Sequence, residues 1–337
     1  VAKARLEKSI QILIDVCLNV QSGEDIAIVT DTNKEAIARM LNSAVLNRGA
    51  ETTLLVMSPR SRHGEEPTKA AARAMLGAAA VILPTTYSLT HTKARRAARE
   101  AGTRALSLPA CTEQIFTDGS LQVDFLELSK FVEEMGRQLS TAKKVRLMSG
   151  EGAVLSMTLA GRKSVDQTGL CRKPGALAVP PDVETAVSPL EGTTSGTLVV
   201  DGVIVPGGQV AKPVTLVFEG GRITEIQGGE DATKLNRLLK DYDDPNMFCP
   251  VELGIGMNPK ARMGRGAILE DEGEFGAVHI GLGEGRTFGS SISGKAHIDI
   301  VMKSPTLELD GKVILRNKEF KLNRQTLKVK DGNLECV

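Results

Sequence analysis

The chain has 337 residues, 42 Lys and Arg against 41 Asp and Glu, a formal net charge of +1, no Trp and two Tyr. A chain of this length buries a core without disulfides or a structural metal, so a metal-ligating set within it points to function rather than to stapling. The near-zero charge supplies no field that attracts nucleic acid or anionic lipid, and so few aromatic rings leave little to stack on bases, so neither is an expected partner.

The five cysteines (Cys17, Cys111, Cys171, Cys249 and Cys336) are scattered and form no C-x-x-C pair. That argues against a disulfide framework and against a thiolate zinc site, and fits a reducing compartment. The N-terminal residues show charges and no apolar leader, and the longest apolar run, around 76–84, is too short for a bilayer span. A soluble, cytoplasmic protein is the expectation.

Residues 24–30 (EDIAIVT) predict a buried strand, and 33–47 an amphipathic helix with Ile37, Met40, Leu41 and Ala44 on one face and Gly49 as its stop. Residues 51–57 predict a strand, 66–77 a helix, 80–84 a short apolar strand, 90–101 a helix ending at Gly102, and 104–108 a fourth strand. This alternation implies a doubly wound, mostly parallel sheet. Residues 125–141 predict a helix in the linking region. The pattern then becomes alternating and rich in turns, with strands at 144–148, 154–159 and 197–205 and a helix at 232–242. Hairpins are expected to turn at Gly220-Gly221 and at Asp310-Gly311. The fold class is therefore α/β plus α+β. A Rossmann-like domain spans 1–140, and a mixed, largely antiparallel, β-rich domain spans 141–337.

A doubly wound domain invites a dinucleotide, yet the turn after the first strand, Thr30-Asp31-Thr32-Asn33, has no glycine to let a pyrophosphate approach the backbone. The dense cluster Gly281, Gly283 and Gly285 comes late and lacks the G-x-G-x-x-G spacing. No P-loop and no G-x-S-x-G elbow is present. No nucleotide cofactor is expected.

The chain has four histidines, and two of them, His279 and His297, lie 18 positions apart in an acidic neighbourhood. In a strand, His297 and Asp299 project from one face and converge on one cation. Imidazole with carboxylate is the donor set for Zn, Mn or Fe where thiolate is absent. The plainer reading of His297-x-Asp299 is a hydrogen-bonded pair, and spacing alone does not decide between them.

The strings PVELGIGMNPKAR (250–262), ILEDEGEFGAVHIGLG (268–283) and HIDIVM (297–302) resemble the C-terminal half of the thermophilic metalloaminopeptidases, aminopeptidase T and its relatives. The resemblance covers about 145–320 well and the N-terminal part by architecture. It implies a site of Glu184, in PDVETAVSP, with Glu252, His279, His297 and Asp299, holding two divalent ions (Zn, Mn or Co). It also implies a general base at Glu274 and a homodimer. The tyrosine expected seven positions after the ligand histidine is Arg286 here, which counts against peptide hydrolysis but can hold a substrate carboxylate or oxyanion.

Length and architecture also resemble the iron-dependent 2,5-dihydroxypyridine dioxygenases, which share the final H-x-D. In that reading His279, His297 and Asp299 form a 2-His-1-carboxylate set for one Fe(II). The presence of both Glu184 and Glu252 favours the two-metal hydrolase, acting on a small peptide or amide, as the main expectation. The ring-cleaving dioxygenase is the alternative, and a non-catalytic metal-binding relative the third. Arg62, His63 and His91, with Arg60, Thr90 and Arg95, lie where loops of a parallel sheet bind ligands and are candidates to recognise an anionic substrate group. The plainer reading of them is a solvated basic face. Cys249 reads as a small buried hydrophobe.

Overall fold

The computed structural model describes residues 2–265, 268–322 and 325–336. The chain groups into two units, residues 1–129 with 167–181, and residues 130–166 with 182–337. The first boundary falls inside the helix Phe125–Thr141. Residues 167–181 return to the first unit because Leu177–Ala178 pairs in parallel with Arg104–Pro109. A single boundary near 140 does not describe that return.

The first unit carries a five-stranded parallel sheet in the order Glu51–Met57, Asp25–Asp31, Ala80–Thr85, Arg104–Pro109, Leu177–Ala178. Every position of Ala80–Thr85 is buried, as a strand covered on both faces requires. The helices Lys69–Gly77 and Lys93–Glu100 start later than their apolar patterns suggest. Thr68 and Thr92 sit before them in extended backbone and accept the N–H of Ala71 and Arg95, so each cap sets the helix start. The elements expected from sequence begin at residue 24. The structure has a helix at Ala2–Gln11 and a π-helical turn at Ile12–Leu18, which buries Leu13, Ile14, Cys17 and Leu18.

In the second unit, among the described residues, a ten-stranded and a seven-stranded sheet are built from antiparallel pairs. Both expected hairpins form, Val214–Glu219 with Arg222–Gln227 and Thr306–Leu309 with Lys312–Arg316. In the second, Asp310 (φ 48°) and Gly311 (φ 83°) both take the left-handed backbone that a two-residue turn matched to strand twist demands. The strand expected over 197–205 divides instead. Ser195–Val200 joins the ten-stranded sheet and Val203–Val205 the seven-stranded one. Between them Gly202 comes so close to Val301 that a Cβ would lie 2.4 Å from its carbonyl oxygen. A parallel doubly wound sheet and a largely antiparallel, β-rich unit are thus both present, in agreement with the expected fold class. Among the described residues no helix is long and apolar enough to cross a membrane.

Phe320, fully buried, is one corner of a ring cluster in this unit, with centroids 5.0 Å from Phe131 and 4.9 Å from Phe275. Phe320→Ala is expected to destabilise the protein by about 3–5 kcal/mol, the range for emptying a packed aromatic site. Chemical denaturation followed by far-UV circular dichroism measures it.

Candidate metal centre

Four neighbouring strands of the seven-stranded sheet carry the site, in the order Glu184–Val187, Pro250–Gly256, Val278–Glu284, Ser293–Met302. Their residues alternate between two faces. Leu253, Ile255, Ile280, Leu282, Ile298 and Ile300 take one face and are fully buried. The other face carries Glu184, Glu252, His279, His297 and Asp299. The register sets each of them beside a glycine. Glu252 and Asp299 flank Gly281, while His279 lies opposite Gly254, His297 opposite Gly283 and Glu184 opposite Gly256. A Cβ on Gly254 would stand 2.0 Å from His279 Nε2, and one on Gly281 2.7 Å from His297 Nε2. Gly254 and Gly281 therefore make room for imidazoles in the sheet.

The five side chains gather into two sets whose donor atoms lie within 4.8 Å of one another, Glu184–Glu252–His279 and Glu252–His297–Asp299. His279 Nε2 stands 3.4 Å from Glu184 Oε2 and 3.4 Å from Glu252 Oε1. His297 Nε2 stands 2.8 Å from Glu252 Oε2 and 3.0 Å from Asp299 Oδ1. Glu252 thus offers one oxygen to each set. The 2-His-1-carboxylate grouping of His279, His297 and Asp299 is not the one formed, because the two histidines belong to different sets. Glu184 Oε2 is buried without a hydrogen-bond partner. Donor atoms each about 2.1 Å from one tetrahedral ion are about 3.4 Å apart. The separations around His279 and the orphaned oxygen therefore fit a cation.

His297 Nδ1 lies 2.7 Å from the carbonyl oxygen of Glu284, which only accepts, so Nδ1 carries a proton and Nε2 faces the carboxylates. The His297 side chain is 27% exposed, against 2% for Glu252 and His279, so the site opens beside His297. Burial opposes a charged His279, but Glu184 and Glu252 outweigh it and raise its pKa to about 10. Burial pushes Glu184 up to about 7, with His279 opposing and Glu252 adding to the rise. Burial would also raise Asp299, yet His297 holds it below the ordinary value.

Two further acids, which the sequence analysis missed, complete the site. Asp182 is pushed well up by burial and by Glu184, and Glu272 by burial and by Asp299. A side-chain hydrogen bond joins Glu272 to Asp299. Asp182 lies two positions before Glu184, on the same side of an extended chain, and that spacing was the available signal. Glu272 sat among the acids 270–274, where nothing in the string distinguished it from Glu274.

Glu274 is engaged elsewhere, accepting from Lys318 Nζ at 2.5 Å and from the Met263 N–H at 2.7 Å. Arg286 is 71% exposed and pairs with Glu284 through Nε at 2.7 Å. Neither side chain is turned to the donor sets. Arg62, His63 and His91 are exposed residues of the first unit. The His63 ring accepts the Ser88 N–H at 3.2 Å and meets Tyr87 edge-on. Cys249 is buried and free, with its thiol pKa raised by burial. At the point where the parallel sheet reverses its strand order, the Asp31 carboxylate accepts from Thr86 N, Thr86 Oγ1 and Asn33 N at 2.6–3.0 Å. A negative group thus holds the donors that a pyrophosphate would require.

Residues 8–321 match the model of the family described as NicX, 2,5-dihydroxypyridine 5,6-dioxygenase. The 2,5-dihydroxypyridine 5,6-dioxygenase of Pseudomonas putida is 26% identical over 188 residues, 52% of this chain and 54% of that protein, so the match spans about half of each. The solved structure of a dioxygenase of that name from Pseudomonas putida superposes with a TM-score of 0.83 at 20% identity, covering 96% of this chain and 99% of that one. Wild-type AmpT from Thermus thermophilus superposes with a TM-score of 0.68 at 17% identity, covering 100% of this chain and 98% of that one. These two likenesses are of fold. The expected aminopeptidase-type hydrolase is not the family this chain matches. The family match and the curated relative both carry the dioxygenase name, and the aminopeptidase shares the scaffold alone.

Gly254→Ala forces the His279 ring to move. It should cost about 1–3 kcal/mol of stability and weaken metal uptake by about tenfold or more, the scale on which disturbed ligand orientation acts. Calorimetric titration with Zn²⁺ or anaerobic Fe²⁺ reads both proteins. In the parent protein, protons on Glu184 and His279 compete with the cation. Uptake should therefore tighten as pH rises through about 7, where Glu184 loses its proton, and should release protons into the buffer. An affinity that is flat across that range would remove Glu184 from the ligand set.

Proposed function

We propose a function from one premise: the chain belongs to the 2,5-dihydroxypyridine 5,6-dioxygenase family, whose model spans residues 8–321. On this reading it opens the ring of a hydroxylated pyridine with dioxygen. The family match carries the proposal, and the half-open donor set supports it.

Glu252, His297 and Asp299 would hold one ferrous ion, three protein donors being a number that leaves positions for substrate and dioxygen. When bound, the ion supplies the redox chemistry that amino-acid side chains lack. The remaining work falls to the protein. The Glu284 carbonyl fixes the His297 tautomer, so that Nε2 faces Glu252 and Asp299. Glu272, whose pKa burial and Asp299 raise, shares a side-chain hydrogen bond with Asp299 and holds that carboxylate in place. The fully buried aliphatic face behind the strands keeps water away from one side, which strengthens each polar contact on the other. Glu184, whose carboxyl burial pushes up to about 7, is suited to take a proton from a substrate hydroxyl.

The disposition of Glu252, one oxygen toward each imidazole, favours a second reading of the metal content, with another divalent ion in the Glu184–Glu252–His279 set. Metal analysis of protein purified without air distinguishes one ion per chain from two.

The decisive experiment supplies the Fe²⁺-loaded protein with 2,5-dihydroxypyridine and follows dioxygen uptake with loss of the pyridine absorbance. One dioxygen per ring is expected. His297→Ala and Asp299→Ala should lower kcat/KM by at least about 100-fold, since losing a ligand costs no less than losing its outer support. A loaded protein that leaves the pyridine intact would overturn the proposal.

A further inference from the structure

The site opens beside His297, and what flanks that opening is a ring. Phe288 ends the short 3-10 turn Arg286–Phe288 between the strands that carry His279 and His297. Its ring centroid lies 5.5 Å from that of His297, with the planes inclined by 35°. Phe288 is half-buried, so part of its ring is left for another molecule.

The turn is held from several directions. Glu284 accepts from Arg286 Nε and Ser293 Oγ. On the far side, Glu191 accepts from Ser290 Oγ at 3.0 Å and from Ser291 N at 2.7 Å. Arg162 pairs with Glu191 and donates to the carbonyl of Gly289. Gly289, directly after Phe288, turns the chain through left-handed backbone at φ 87°. Gly285 packs so close to Val251 that a Cβ would lie 2.4 Å from the valine Cβ. A loop anchored this way presents a ring in a fixed place, which suits recognition of a rigid partner at little entropic cost.

We propose that Phe288 is the stacking wall of the substrate site and selects for planar heteroaromatic rings. The inference rests on the ring-cleavage reading and adds the residue that recognises the ring itself. A flat substrate that reaches Glu252, His297 and Asp299 from the exposed edge passes Phe288, whose face meets it in an offset or tilted stack. The donor set binds oxygen and nitrogen atoms, and Phe288 reads the ring that carries them.

The test compares Phe288→Leu and Phe288→Tyr with the parent protein, all loaded with Fe²⁺. KM and kcat for 2,5-dihydroxypyridine are measured in air-saturated buffer, and the dissociation constant of the same compound is measured anaerobically by calorimetry. Iron content and thermal unfolding are recorded for each protein. Phe288→Leu should raise KM and the anaerobic dissociation constant together, by about three- to tenfold, with kcat and iron content unchanged. Phe288→Tyr, which keeps the ring, should restore both. If the leucine variant does not fold, Phe288→Met makes the same comparison. Unchanged binding in a folded, ringless variant overturns this inference while leaving ring cleavage intact. Loss of iron with unchanged substrate binding also overturns it, because Phe288 would then only prop His297. A parent protein that neither binds nor consumes the pyridine overturns both readings.

Discussion

Glu252 is a carboxylate with 1% of its surface exposed, in the middle of a packed strand, with an imidazole beside each oxygen. Burying a charge costs several kcal/mol unless something of opposite sign meets it. Here four more carboxyl groups, Asp182, Glu184, Glu272 and Asp299, crowd the same place. Their strongest electrostatic neighbours among the described residues are one another, Glu252 and the two imidazoles. This crowding favours protons in the cluster. Against burial, the neighbouring carboxylates raise His279 to about 10, while burial and the other acids push Glu184 up to about 7 and Asp182 and Glu272 well up. A divalent ion relieves the crowding by displacing some of those protons, so metal binding and proton release are two sides of one balance.

The sheet makes this balance possible. A strand offers every second residue to one face, so aliphatic side chains on the alternate face anchor it in a dry core while the site face stays free for donors. Five donors on four adjacent strands would collide if their neighbours had side chains. Glycine at 254 and 281 removes that conflict, at the entropic cost glycine brings to a strand. Gly256 also lets the acid-bearing segment approach, since a Cβ there would lie 2.4 Å from the Glu274 carbonyl oxygen.

One arrangement of donors can serve more than one chemistry, which is where resemblance by ligand motif misled. The five ligand positions are what a two-metal hydrolase needs, and that made the hydrolase the main expectation. The family match over residues 8–321 places it in the 2,5-dihydroxypyridine 5,6-dioxygenase family instead. Arg286, where the aminopeptidase pattern has a tyrosine, was the residue that already disagreed. It pairs with Glu284 at the surface, and the group that flanks the opening of the site is Phe288.

Much of this was legible in the sequence, because alternation and turn chemistry are local. The parallel strands, the helix Phe125–Thr141, the hairpin turns at Gly220-Gly221 and Asp310-Gly311 and the same-face pair His297 and Asp299 all follow from patterns a few residues long. The apolar spacing of Ile10, Leu13, Ile14, Cys17 and Leu18 was equally available, and those residues are buried as it implies. Cross-strand register was not available, since it joins residues far apart in the chain. Only the register placed glycines opposite ligands and put His279 and His297 into separate sets sharing Glu252, while the packing of the helix Ile268–Gly273 turned Glu272 rather than Glu274 toward Asp299. The sequence by itself determined which side chains were available to hold a cation. The tertiary structure decided which of them meet, because that depends on strands whose pairing no local pattern specifies.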